Sequence, residues 1–489
     1  MDRKDRVEAA QPSGGRQALL TRLHDLLSVV AALKEAARRS RERSHRRTAA
    51  AAAAGNRHLA AFHDRLAGKL QLAVYGTHSS DWMRALVPSA AVWSSIDLLG
   101  HVVHVPAGEA DAKARLRPDL YPVFLPLMEG HTRALPAHAA SLTPAPELID
   151  LLENKDLFGV YLEELGLAAH APRHFWSIDE VEYPCVFKPV GLNGGQGVAV
   201  ISDEEELRAA IAGHVVDEGR YLLQSLTVGA DEFVTHALLR DGKVIWDTTF
   251  LYLLGGTAVV RTAVVTGDCA VRRAPTARAV LDLLDWIGAD LGFSGPVNVD
   301  YKIIDGKPII FEINPRLGGS LMRPENADLL GEALRRIVHS AASSEAFFAE
   351  IIRGSKLFDP DFYMGKGHEF EPRPEDPAAH YLRSGCAEGR DPSEAFSTSD
   401  YIDLHFDRSM AGLNPLVHYE LLGRFERRPV RRRDRATVKA ACSTPAAHPK
   451  SVFGKLIRRL LPASVARRVT THEGSLVEQV GKAIAGLLH

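Results

Sequence analysis

The chain has 489 residues, 46% hydrophobic and 25% charged, with a formal net charge of −2; that length exceeds one hydrophobic core and predicts roughly two to four domains. The near-zero charge excludes a whole-protein pull toward nucleic acid, so no nucleic-acid partner is expected. Cys185, Cys269, Cys386 and Cys442 form no CxxC pair, and no apolar run reaches the roughly 18–20 residues of a membrane span. These features argue against structural zinc and a disulfide framework and predict a cytoplasmic protein.

Residues 1–70 read as a helical extension. Leu19, Leu23, Leu26, Val30 and Leu33 form a heptad seam, and Leu59, Phe62, Leu66 and Leu70 follow at helical spacing. The seam either packs on its own domain or forms a coiled coil that makes a homodimer. Residues 71–150 alternate apolar runs (Leu72–Tyr75, Val102–Val105, Val123–Leu127) with helix-like stretches, the pattern of a small α/β domain with a parallel sheet.

Residues 151–345 mix helix and hairpin signals and predict α+β structure. Leu151–Leu165 reads as one helix ending before Gly166. Val186–Pro189 is a strand entering a glycine-rich loop; Tyr221–Leu226 and Phe233–Leu239 read as strands. Asp241-Gly242 and Asp305-Gly306 mark tight turns, the second joining Val297–Ile304 to Pro308–Ile313. Between 355 and 432 a unit of 38 residues occurs twice: Phe358 and Tyr363 return as Phe396 and Tyr401, His380 as His418, and Gly385 as Gly423. Residues 433–489 read as a linker followed by a basic amphipathic stretch, Val452–Leu461, either a solvated helix or a peripheral membrane contact.

Several motifs carry chemistry. In Phe311-Glu312-Ile313-Asn314-Pro315-Arg316, residues two apart on a strand share a face, so Glu312, Asn314 and Arg316 project together. Asp300, across the Asp305-Gly306 turn, adds a second carboxylate. Two carboxylates and an amide oxygen suit magnesium, and the guanidinium suits a phosphate or carboxylate. Lys188 precedes a loop containing Gly191, Gly194, Gly195 and Gly197, whose backbone N–H groups can cover a polyphosphate. Lys155 opens a helix at Glu153-Asn154-Lys155, and Glu232 begins a strand where it can accept from ribose hydroxyls. Arg261 and Arg272 are candidates for a substrate carboxylate, with salt-bridged surface arginines as the competing reading.

In this order and spacing the pieces resemble the ATP-grasp superfamily, in particular its carbamoyl-phosphate-synthase-like and D-alanine-ligase-like branches. The resemblance implies a pre-ATP-grasp α/β domain followed by an ATP-grasp fold. It implies ATP phosphates on Lys155 and Lys188, a lid at Gly194, Gly195 and Gly197, and ribose on Glu232. Two Mg2+ ions (Mn2+ as a substitute) would sit on Asp300, Glu312 and Asn314, with Arg316 and Lys188 at the transferred phosphoryl group. Gln224 stands where the family's adenine hinge usually has glutamate. The 38-residue repeats resemble a module attached to bacterial glycosyltransferases, which implies a surface-polysaccharide pathway. The expected activity is ligation of a small or glycan-linked carboxylate to an amine; a non-catalytic nucleotide-binding scaffold and a small-molecule kinase are the alternatives.

Overall fold

A computed structural model of the protein describes residues 24–36, 38, 63–108, 112–189, 197–213, 221–229, 231–254, 260–261, 269–365, 376–405 and 413–432. These lie in the unit Met1–Arg431, apart from Arg432 in the second unit, Arg432–His489. The amphipathic stretch Val452–Leu461, Leu19, Leu23, Leu59 and Phe62, the loop glycines Gly191, Gly194 and Gly195, and Cys442 fall outside the described residues.

Helix α1 (24–36) carries the C-terminal part of the heptad seam. Val30 is fully buried in a core shared with Leu148, Tyr161 and Leu162, and Leu26 and Leu33 pack on that core. Lys34 Nζ reaches Asp290 at 3.2 Å. This part of the seam therefore spends its apolar face on its own chain.

Strands β1 (Leu70–Tyr75), β2 (Leu99–Val105) and β3 (Tyr121–Pro126) form a parallel sheet in the order β2-β1-β3. The central strand is buried throughout, as its nearly unbroken apolar run requires. Its one polar residue, Gln71, is satisfied: Nε2 donates to the Arg117 and Leu120 carbonyls, and Oε1 accepts from Arg117 N. Helix α2 (Ser80–Ala85) follows β1 and α3 (Glu129–Arg133) follows β3.

The single helix read over Leu151–Leu165 is two. Helix α4 (Pro146–Glu153) stops at Asn154, whose side chain accepts from the N–H groups of Asp156 and Leu157 and caps α5 (Lys155–Glu164). Asparagine competes well as a cap because its oxygen satisfies amides that a helix start leaves unpaired. Apolar periodicity alone does not register that break.

The next sheet, β4-β7-β5-β6, is antiparallel and built from β4 (His174–Phe175), β5 (Cys185–Pro189), β6 (Ala199–Ile201) and β7 (Tyr221–Ser225), with helix α6 (Glu204–Gly213). The larger antiparallel sheet runs β10-β9-β8-β11-β12. Its strands are β8 (Asp231–Arg240), β9 (Lys243–Leu253), β10 (Ala270–Ala274), β11 (Gly295–Ile304) and β12 (Lys307–Asn314), with α7 (Arg278–Leu291) between β10 and β11. Both hairpin turns have positive φ at their central residues: 51° and 78° at Asp241 and Gly242, 49° and 76° at Asp305 and Gly306. Such turns match the twist of paired strands, which is why Asp-Gly pairs occupy them.

Helices α8 (Ala327–Ala341) and α9 (Glu345–Gly354) lead into the repeats. The first repeat contributes α10 (Pro360–Gly365) and α11 (Pro377–His380), the second α12 (Thr398–His405) and α13 (Pro415–His418). The two copies share their polar detail. Tyr363 OH meets His380 Nδ1 at 2.6 Å, and Tyr401 OH meets His418 Nδ1 at 2.9 Å. Asp376 caps α11 and Asn414 caps α13 through equivalent amides. Gly385 and Gly423 each lie under a tyrosine hydroxyl, where any Cβ would collide. One hydrophobic core joins Leu72 and Val74 of the parallel sheet, Val234 and Phe250 of the large sheet, and Tyr363, Phe396 and Leu421 of the repeats. Among the described residues no helix is long and apolar enough to cross a membrane.

Candidate active site

A cavity of about 560 Å³ draws its walls from both antiparallel sheets, from α2, α3 and α5, and from the loop after β12. Asp81, Glu129, Glu153, Glu232, Asp300 and Glu312 line it against Lys155, Lys188, Arg261, Lys302, Arg316 and Arg323. The acids and bases are equal in number, so the cavity is nearly neutral as it stands. Polyphosphate entering it brings a large negative charge, which demands accompanying cations.

The oxygen donors are set by the β11–β12 hairpin. Asp300 stands directly opposite Glu312, and Asn298 opposite Asn314. Asn314 Nδ2 donates to Glu312 Oε1 at 2.9 Å, and Lys155 Nζ lies 3.3 Å from Glu312 Oε2. Burial acts most strongly on both acids and favours their neutral forms. At Asp300 it prevails over Arg261 and, with Glu312 and Glu232 adding repulsion, pushes the carboxyl up to about 6. At Glu312 the burial effect is outweighed by Lys155, the Asn314 hydrogen bond and Lys188, and the carboxyl falls to about 2.

Lys188, the penultimate residue of β5, has its Nζ 5.4 Å from the centre of the Phe311 ring. Its ammonium sits deep in the protein, and burial, partly opposed by Glu312, pushes it down to about 8. Glu232, at the start of β8, is buried. Arg261 lies between two of these acids, with Nε 2.7 Å from Glu232 Oε1 and Nη2 2.8 Å from Asp300 Oδ1, and its guanidinium stacks 4.7 Å from the Tyr252 ring centre. Arg261 is thus an interior residue of the cavity, whereas Arg272 is exposed on β10.

Arg316 departs from the expected strand face. Strand β12 ends at Asn314, and Arg316 N donates back to the Asn314 carbonyl at 2.8 Å. The turn still sends the guanidinium into the cavity, where Nε lies 2.9 Å from Glu129 Oε1. Gly197 is exposed at φ 69° and begins the described chain after the glycine loop. Gln224 lines the cavity from β7 and is buried, its Nε2 against His174 Nε2.

Sequence reasoning did not single out Glu129 or Lys302 and left Arg261 as an uncertain candidate. Lys302 carries a usable signal, since it stands two residues from Asp300 on one strand. It is 1% exposed and donates to the Gly229 carbonyl at 2.7 Å and the Thr227 carbonyl at 3.3 Å, tying the segment after β7 to β11. Glu129 carries no such signal; only the fold brings α3 to Arg316.

Among the described residues no group of three His, Cys, Asp or Glu stands at metal-binding spacing. The fitting donor set is instead one buried carboxylate, Asp300, one half-buried carboxylate, Glu312, and an amide oxygen, which suits a hard cation that completes its shell with phosphate oxygens.

Two antiparallel sheets enclose lysines, paired carboxylates and an amide beside a small parallel α/β domain, the arrangement that the ATP-grasp resemblance implies. Over 219 residues the chain is 27% identical to the carbamoyl phosphate synthase large chain of Streptomyces coelicolor, covering 41% of this chain and 19% of that one. Over 196 residues it is 29% identical to the same large chain of Clavibacter sepedonicus, covering 36% and 17%. The matched part thus spans about a fifth or less of these curated relatives. Among solved structures it is similar to D-alanine–D-alanine ligase from Bacillus anthracis, with TM-score 0.40 and 15% identity over 56% of this chain and 97% of that one. It is also similar to phosphoribosylamine–glycine ligase from Thermotoga maritima, with TM-score 0.41 and 15% identity over 54% and 73%. No family model matches the chain.

Proposed function

We propose that the protein is an ATP- and Mg2+-dependent ligase that activates a carboxylate as an acyl-phosphate for attack by an amine. The observation that carries this reading is the facing pair Asp300 and Glu312, with Asn314, lining one cavity with Lys155, Lys188 and Arg316. Buried acids in opposition are costly unless a cation belongs among them. Magnesium held by Asp300, Glu312 and Asn314 would neutralise and orient the phosphates. Lys155 and Lys188 would bind polyphosphate oxygens, and Glu232 would accept from the ribose. Arg316 would hold the carboxylate or its acyl-phosphate, with Glu129 fixing the guanidinium from behind. Removing water from this cavity strengthens each of these interactions and protects the acyl-phosphate from hydrolysis.

The reading is tested by release of ADP and free phosphate when a carboxylate and an amine are supplied together. Glu312→Gln is expected to reduce that turnover at least a hundredfold. Undiminished turnover would remove the metal assignment, and a stable phosphorylated product would make the protein a kinase. The resemblance of the repeats directs the screen first to sugar acids and glycan-linked carboxylates, in a cytoplasmic protein. Peripheral membrane contact through Val452–Leu461 is part of the same reading; sedimentation with anionic vesicles checks it.

A further inference from the structure

The three acids assigned above to ribose and metal are already occupied by cations of the chain itself. Arg261 sits between Glu232 and Asp300, with Nε 2.7 Å from Glu232 Oε1 and Nη2 2.8 Å from Asp300 Oδ1. Lys155 Nζ lies 3.3 Å from Glu312 Oε2. Arg261 is the deeper of the two cations, its side chain 17% exposed against 28% for Lys155, and its guanidinium rests on the Tyr252 ring.

The fit at Asp300 is electrostatic but incomplete. Asp300 Oδ1 is buried beside the guanidinium, yet it accepts no aligned hydrogen bond. An arginine fork satisfies a carboxylate best when two N–H groups point along its lone pairs. Here the fork is divided, Nε facing Glu232 and Nη2 facing Asp300. Asp300 thus receives positive charge without having its bonds filled. A divalent cation coordinated by the same oxygen would meet the lone pair that the fork misses.

We propose that Arg261 is a built-in counter-ion that occupies the cation seat at Asp300 and has to be pushed off before a divalent metal binds there. The inference rests on the metal site proposed above. Metal arriving alone would set its two charges beside a guanidinium that has lost a partner deep in the cavity, which is costly. Polyphosphate arriving with the metal offers that guanidinium a new anionic partner. Arg261 therefore disfavours free metal and admits metal together with nucleotide, which couples the two ligands.

The test is titration of the full chain with Mn2+ alone, followed by the electron paramagnetic resonance signal of the free ion, a readout that needs no turnover. The wild type is expected to bind Mn2+ weakly, and Arg261→Met about tenfold more tightly, within the usual range of coupling between sites. Arg261→Gln is expected to move the same way and serves if the methionine variant folds poorly. Arg261→Lys keeps the charge and is expected to stay close to wild type. Arg272→Met removes the same charge from an exposed position on β10 and is expected to change nothing. Adding Asp300→Asn to Arg261→Met is expected to abolish the gain. Unchanged or weaker Mn2+ binding by a folded Arg261→Met or Arg261→Gln overturns the inference and leaves the metal site standing. An equal gain in Arg272→Met, or a gain that survives Asp300→Asn, also overturns it. Binding of Mn2+ by none of these forms, with ADP present as well, overturns the metal reading itself.

Discussion

Replacing Arg261 by methionine leaves Glu232 and Asp300 facing each other without the guanidinium that contacts them at 2.7 and 2.8 Å. With charge centres about 4 Å apart and an effective dielectric of about 20, each contact carries about 4 kcal/mol of gross attraction. Desolvation of the ions cancels much of that sum, yet removing one partner of a buried pair still costs about 3–5 kcal/mol because a charge is left alone. Protonation of one acid relieves part of this cost, so about 3 kcal/mol is the expected loss, seen as a fall of several degrees in Tm. Both acids belong to the proposed nucleotide and metal site, and so Mg2+ can supply the missing charge. The assay is thermal unfolding of wild type and Arg261→Met, with and without millimolar MgCl2 and MgADP. The deficit of the variant is expected to shrink by at least half when MgADP is present. A deficit of equal size in every condition would refute a shared charge site, and no deficit at all would refute the bridging role of Arg261.

Other expectations follow from particular contacts. Asn154→Ala removes the cap of α5 and is expected to cost about 1 kcal/mol in chemical denaturation, together with weaker MgADP binding because Lys155 begins that helix. Gly385→Ala and Gly423→Ala force a Cβ against Tyr363 and Tyr401; each is expected to lose about 1–3 kcal/mol in the same measurement. Burial holds His174 at about 4, against Asp156 and with Lys188, and holds His236 at about 3 together with Arg316, for rings whose ordinary value is 6.5. The unfolded chain therefore binds more protons than the folded one below about pH 6.5, and stability rises with pH through that window. A Tm series from pH 7 to pH 4.5 is expected to fall steadily, and a Tm flat across this range would contradict the neutral buried rings.

The parts of the architecture that were legible in the sequence are those with local chemistry. Asp241-Gly242 and Asp305-Gly306 announce their turns because left-handed backbone needs those residues. Once the second turn is placed, unbroken pairing would set Asp300 opposite Phe311, and only the register shift between Asp300 and Tyr301 brings it opposite Glu312. Periodicity gave the parallel strand at Leu72–Tyr75 for the same reason: a strand buried on both faces is apolar throughout. It failed at Asn154, because an N-cap is a polar substitution that apolar spacing passes over. It placed Arg316 on the strand, whereas the strand stops two residues earlier and a turn carries the side chain into the same cavity as Glu312 and Asn314. Arg261 and Glu129 were beyond its reach, as each acquires its meaning from a partner far along the chain. Gly159 reads as an ordinary glycine within a helix until His174 is seen beneath it.

The core joining Leu72, Phe250, Phe396 and Leu421 has a consequence for how the protein is made. A ribosome releases the parallel sheet well before the second repeat, so through much of synthesis the apolar flank that the repeats cover stays open to the surroundings. The chain cannot close that flank in instalments, and the flank stays uncovered until the second repeat emerges.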